Sequence, residues 1–207
     1  MNAGSYFQDA WVRQRNAYAT KADVPETQWR ASGRATKEFP DKENGAWWEQ
    51  QGPEMVQRWI DWRNGTGWNI WTAPNGEPAI ELGIEILFGE VPVKMVIDRV
   101  FVTGNGEMVI VDLKTGRSVS SDMQLAWYAA GMDLLFGVRP KYGTYWMARE
   151  GMTSPMIDLD LWPTQSMIDV VTMFDKARKE GIFLPNFSTC KMCSVTSECK
   201  WYRGETK

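Results

Sequence analysis

VKMVIDRVFVTGNGEMVIVDLKTG, residues 93–116, reads as two apolar runs joined by the turn Gly104-Asn105-Gly106. A tight turn between two such runs favours an antiparallel hairpin. In an extended strand the side chains alternate between faces, so Asp112 and Lys114 point one way while Val111 and Leu113 point the other. Asp98 shares a side with Val96 and Val100 on the preceding strand, and the turn folds that strand back beside Asp112. The run MVIVDLK is apolar on both faces up to the aspartate, as in a strand covered on both sides. The alternative is that Asp98-Arg99 and Asp112-x-Lys114 are solvated charges on an edge hairpin.

Two carboxylates brought this close repel each other unless a cation lies between them. Oxygen ligands without sulfur or imidazole select Mg²⁺ or Mn²⁺. Such an ion stabilises charge on a phosphate and lowers the pKa of bound water, with Lys114 placing the water or the phosphate. The chemistry these residues imply is phosphodiester hydrolysis.

Working outward, strands are expected at 68–71, 80–87, 93–102 and 108–114, with turn signals between them such as Asn75-Gly76. A helix capped by Ser120 or Ser121 and stopped by Gly137 carries Gln124 and Tyr128, which lie four apart and so share a face. Read alone, that pair is equally a surface glutamine beside a core tyrosine. Further strands are expected at 142–148 and 156–161, and a last helix at 163–179 before Gly181. Upstream, 6–18 can form a helix. From Asn44 the positions Gly52, Met55, Val56, Trp59, Ile60 and Arg63 repeat at helical spacing. Helix, meander, helix, strand and helix make an α/β domain around a central mixed sheet.

Composition excludes several classes. The 207 residues contain no histidine, which removes Ser-His-Asp, Cys-His and His-ligated zinc chemistry. A formal net charge of −3 gives no general pull on phosphate, so a nucleic acid would need a local basic patch. The basic residues Arg58, Arg63, Arg117, Arg139, Lys141, Arg149, Lys191 and Lys200 are scattered along the chain. No segment has the roughly 18 uninterrupted apolar residues of a membrane span. The twelve tryptophans are expected mostly in the core, where a large aromatic contributes most by burial, although exposed ones could stack on unpaired bases. Three cysteines crowded at Cys190, Cys193 and Cys199 suit metal ligation in a reducing compartment better than a disulfide framework.

The order IDRV, glycine turn, VIVDLKTG and QLAWY resembles the nuclease signature of the RecB-like branch of the PD-(D/E)XK superfamily, which includes the CRISPR-associated Cas4-type exonucleases. The resemblance covers residues 80–130 and returns at the C-terminus. It implies a restriction-endonuclease-like core in one nuclease domain spanning 1–207: an N-terminal region 1–43, a core 44–161, and a C-terminal helix and cysteine segment 162–207. Asp98 and Asp112 would be metal ligands, Lys114 the catalytic lysine, and Gln124 with Tyr128 the pair that braces the site and meets DNA. Many relatives add a histidine from a helix before the sheet. Here Glu49 is the nearest equivalent, in competition with Glu54 and Gln57, and a first-turn glutamate is equally an ordinary helix-surface residue. Glu81 and Glu85 are further acids on the strand leading to Asp98.

Cys190-x2-Cys193-x5-Cys199 matches the C-terminal trio of iron-sulfur members, whose fourth cysteine comes from the N-terminal region and is missing here. An iron-sulfur cluster with three thiolates, a zinc site, and plain packing as small apolar side chains all stay open. By resemblance the chain is a Mg²⁺- or Mn²⁺-dependent deoxyribonuclease, an exonuclease on single-stranded or end-exposed DNA. It would work in the cytoplasm of a bacterium or archaeon, or of a phage host, beside recombination, replication or CRISPR-adaptation proteins. The other readings are an inactive DNA-binding module and a metal-stabilised structural module of the same fold.

Overall fold

The structure, a computed structural model, describes residues 3–21, 45–119, 121–183, 185, 186, 190 and 193–202. Residues 22–43, most of the expected N-terminal region, lie outside them, as do Ser120 and Lys191. Helix α1 (Ala3–Ala19) is followed by α2 (Gly45–Gly65), β1 (Asn69–Ile70), β2 (Ile80–Phe88), β3 (Val91–Val102) and β4 (Met108–Lys114). Then come α3 (Met123–Phe136), β5 (Tyr142–Met147), β6 (Met152–Thr153), β7 (Ile157–Asp158) and α4 (Thr164–Lys179). Short 3₁₀ turns at Leu159–Leu161 and Thr196–Glu198 complete the described elements. The segment expected as a strand over 156–161 therefore divides, β7 giving way to a 3₁₀ turn in which the Asp158 carboxylate accepts from the Asp160 amide.

The sheet runs β1-β3-β4-β5-β6, with β2 also paired to β3 and β7 to β5. All pairings are antiparallel except β4 with β5. The sheet is thus mixed, and β4 lies inside it between β3 and β5, so the edge-hairpin alternative is excluded. This is why residues 109–112 are all buried.

The strands divide two cores, with alternation broken near Asp98 so that Ile97 and Val100 share one face. On one face Leu82, Ile84, Ile97, Val100, Ile110 and Tyr145 pack under α3 through Leu125, Tyr128, Ala129 and Met132. On the other, Phe101, Val109, Val111 and Trp146 pack against α2 through Met55, Trp47, Trp48, Trp59 and Trp62. The tryptophans are therefore largely structural, and Trp62 stacks 5.1 Å from Trp59 and meets Trp68 edge-on at 5.7 Å. The buried side of α2 is rotated from the expected one: it centres on Met55, Trp59 and Trp62, and Ile60 is exposed.

Helix α3 is apolar nearly all round because it is covered on two sides. Ala126 and Ala130 turn away from the sheet toward Met167, Ile168 and Val171 of α4. Gly137 ends the helix in the left-handed region at φ 67°, its N–H donating to the Asp133 carbonyl. At its start Asp122 makes no capping bond, and the Ser121 hydroxyl accepts from the Met123 amide at 3.1 Å. Arg139 joins this layer to α4, donating to the Thr164 hydroxyl at 2.7 Å and the Leu159 carbonyl at 2.9 Å.

Helix α3 can approach the sheet closely because β5 offers a glycine. A Cβ on Gly143 would fall 3.0 Å from Leu125 Cδ1 and 3.2 Å from Leu125 Cβ. Since Leu125 Cβ is fixed to the helix, Gly143→Ala must move α3 itself. The expected cost is about 1–3 kcal/mol, read as a lower urea midpoint. An unchanged midpoint would mean that the helix is not seated this tightly.

Candidate active site

Asp112 lies near the C-terminal end of β4, on the face covered by α3. It is only 2% exposed, a depth at which an ionised carboxylate is unfavourable unless it has partners. Lys114, two residues on and on the same face, brings Nζ to 2.7 Å from Asp112 Oδ2. Gln124, on the first turn of α3, joins the pair: its Oε1 accepts from Lys114 Nζ at 2.9 Å, and its Nε2 donates to Asp112 Oδ1 at 2.8 Å. Nε2 also lies 2.7 Å from the Tyr128 hydroxyl, one helical turn further along. One amide therefore reads three side chains, and its orientation is set because only its nitrogen can donate to a carboxylate.

Asp98 approaches from β3. The β3–β4 register runs from Val102↔Met108 to Arg99↔Val111. Beyond it the Asp98 side chain takes over, Oδ2 accepting the Leu113 amide at 2.7 Å. On the other flank, the β2–β3 register steps from Ile80↔Arg99 to Leu82↔Ile97, passing over Glu81 and Asp98. Glu81 has φ 51°, in the left-handed region that costs a residue with a Cβ about 1–3 kcal/mol. Both neighbours of β3 thus leave regular pairing at Asp98. Glu81 is exposed, ion-paired to Arg99 at 3.1 Å, and its charge reaches Tyr128. Nothing in strand periodicity marks this deviation.

Electrostatics agree with the geometry. Burial pushes the Asp112 carboxyl above its ordinary range; the Lys114 hydrogen bond pulls it back, and the Asp98 charge pushes it further up. Burial also raises Tyr128, so its phenol is protonated at neutral pH and cannot act as a base. Tyr145 is pushed up to about 12, by burial first and by Asp112 next. Its hydroxyl donates to the Ser121 carbonyl at 2.8 Å, and its ring faces Lys114 Nζ at 5.5 Å, tying the start of α3 to the floor of the site.

The donor set fits a hard divalent cation. Asp112 Oδ2 is buried, and its close partner is the Lys114 ammonium at 2.7 Å; with Asp98 it offers the oxygen ligands that a hard cation takes. Among the described residues no three Asp, Glu or Cys side chains gather as a ligand set. A site of two carboxylates suits Mg²⁺, which keeps several waters and completes its shell with substrate phosphate.

Two expected ligand groups are not assembled. Glu49 is on α2, which covers the opposite face of the sheet, and it does not join Asp98 and Asp112 in a ligand set. Cys190, Cys193 and Cys199 are free and are not gathered into a common site, which removes the support that their spacing lent to an iron-sulfur cluster or zinc. Of the other acids, Glu54 pairs with Arg58 at 3.4 Å and Glu85 with Lys94.

Comparison with known proteins adds an independent finding. The model of the PD-(D/E)XK nuclease superfamily matches residues 8–200. The Gene 69 protein of Mycobacterium phage D29 is 31% identical over 193 residues, covering 83% of this chain and 70% of its own length. The Gene 69 protein of Mycobacterium phage L5 is 29% identical over 254 residues, covering 94% and 87%.

The buried charge makes stability depend on pH. A carboxyl whose folded pKa exceeds its unfolded one adds stability in acid and loses it as pH rises through the folded value. At neutral pH ionised Asp112 is therefore held chiefly by Lys114 and Gln124. Lys114→Ala should cost about 1–3 kcal/mol at neutral pH. That loss should shrink on acidification to just above the ordinary carboxylate range, as Asp112 takes up a proton. Urea melts in chelator across this window test it, and an equal loss at every pH would contradict it.

Proposed function

Because this chain belongs to the PD-(D/E)XK nuclease superfamily, we propose that it is a Mg²⁺- or Mn²⁺-dependent deoxyribonuclease, acting as an exonuclease on single-stranded or end-exposed DNA. The observation that carries this reading is the joined set of Asp98, Asp112, Lys114 and Gln124, in which a buried carboxylate lies between a lysine ammonium and a glutamine amide beside a second aspartate. A structural ion pair has no need of a second aspartate across the strand boundary.

Asp98 and Asp112 would hold the cation. When bound, it supplies charge stabilisation at the scissile phosphate and lowers the pKa of a coordinated water. Lys114 can place its ammonium toward the attacking water or a non-bridging phosphate oxygen, since Gln124 and Asp112 set its direction. Gln124 keeps Asp112 and Lys114 in one geometry, and Tyr128, protonated through the neutral range, holds the far side of the amide. Burial under α3 strengthens each of these interactions by excluding water. The phage relatives point to a protein acting in an infected bacterial cell, and no helix among the described residues is long and apolar enough to cross a membrane.

End-labelled single- and double-stranded oligonucleotides, with circular DNA as control, test the proposal. Cleavage should require Mg²⁺ or Mn²⁺, proceed from ends and spare circles. Asp112→Asn and Lys114→Met should each lower it by about 100-fold or more, with the far-ultraviolet circular dichroism of the wild type. Undiminished cleavage in both variants would remove the assignment, and cutting of circles would remove its exonuclease part.

A further inference from the structure

Gln124 and Tyr128 border two spaces. On one side Gln124 meets Asp112, and on the other the pair forms one end of a groove of about 470 Å³ between α3 and β3. The sides of the groove are Val93 and Met95 from the strand and Met123 and Trp127 from the helix. Gly131 makes room for the strand side, since a Cβ there would fall 2.7 Å from Met95 Sδ. Trp127 is half-buried, its ring tilted against Phe88 at a centroid distance of 5.7 Å. The indole is thus held from one side while part of it stays open to the groove.

Charge and polarity select the occupant. No acid is among the described residues that line the groove, and the one cation among them, Lys94, is tied to Glu85. A phosphate has little to hold it there, whereas a flat uncharged ring gains contact with indole and thioether. Gln124 uses its two amide hydrogens on Asp112 and Tyr128, so the Tyr128 oxygen accepts and its own proton is left for another acceptor. The Ser121 hydroxyl, which accepts from the Met123 amide, likewise has a proton to donate at the groove. A flat ring with acceptors on its edge is the chemistry of a nucleobase. Position agrees: Trp127 lies three residues beyond Gln124, about 4.5 Å further along the helix axis, and Gln124 is bonded to both Asp112 and Lys114.

We propose that the groove takes the base of the nucleotide beside the scissile phosphate, stacked on Trp127, and that Trp127 thereby favours single-stranded ends, because a base seated between α3 and β3 is out of any duplex. The place of this base beside a cleaved bond rests on the nuclease reading above, whereas the stacking of a base on Trp127 does not.

Labelled oligodeoxythymidylate and an abasic oligomer of the same length, compared by fluorescence anisotropy in chelator, test it. The unsubstituted chain should prefer the oligomer with bases, and Trp127→Leu should cut that preference by about 5-fold or more. Trp127→Phe, which keeps a ring against Phe88, should retain most of it. Lost packing alone would weaken both oligomers alike, so the ratio separates stacking from structure. If Trp127→Leu does not fold, the unsubstituted chain decides: ultraviolet irradiation with 5-iododeoxyuridine in place of thymidine should leave an adduct on Trp127, located by mass spectrometry. An unchanged preference in Trp127→Leu, or adducts confined to other residues, overturns the site. Mg²⁺-dependent cutting by the unsubstituted chain, measured alongside, separates the two claims. Cutting with an unchanged preference removes the base site alone, whereas a lowered preference without cutting supports it and removes the nuclease reading.

Discussion

A carboxylate buried inside a β-sheet is the constraint around which the molecule is organised. Asp112 is surrounded by β3, β5 and α3, where an ionised group is destabilising unless charge and hydrogen bonds reach it. Lys114 supplies the charge because strand periodicity returns it to the same face two residues later. Gln124 supplies the donor because the first turn of α3 passes over the end of β4. Even then one buried oxygen has the Lys114 ammonium as its close partner and no other hydrogen bond. Proteins retain such defects mainly where function uses them.

The rest of the fold brings α3 to that position and keeps it there. Gly143 lets Leu125 approach the sheet, Tyr145 ties the Ser121 carbonyl, and α4 covers the outer side of the helix through Ala126 and Ala130. The tryptophan layer between α2 and the opposite face carries no part of the carboxylate chemistry. It packs against the strands whose ends carry the site, and at its margin Trp47 and Trp48 meet the Arg149 guanidinium. One sheet therefore carries the carboxylate cluster on its α3 face and the aromatic layer on its α2 face.

Much of this was legible in advance. The strands expected at 80–87, 93–102 and 108–114 are found at 80–88, 91–102 and 108–114, separated by glycine turns. The shared face of Asp112 and Lys114 follows from alternation and the stacking of Gln124 on Tyr128 from helical spacing, whereas alternation breaks at Asp98, where Ile97 and Val100 face one core and Val96 is exposed. Contacts between distant elements were less legible. The face of α2 was misjudged by part of a turn, because tryptophans reach farther than periodicity weights them. Glu49 matched a family position by order along the chain, but its helix covers the other face. The cysteine spacing resembled a ligand set, and the tertiary structure does not close it. The left-handed backbone at Glu81 leaves no sign in composition or pattern.

By itself the sequence determined which residue types could act, since a chain without histidine must work with carboxylates, lysine, amide and phenol. It also determined that Asp112 and Lys114 share one side of a strand and Gln124 and Tyr128 one side of a helix, because those periodicities are local properties of the backbone. Only the tertiary structure decided that Asp98 would replace a ladder bond at Leu113 and that one glutamine would join three side chains. Those are meetings between elements far apart in the chain. They depend on packing distances and loop paths that no window of neighbouring residues contains.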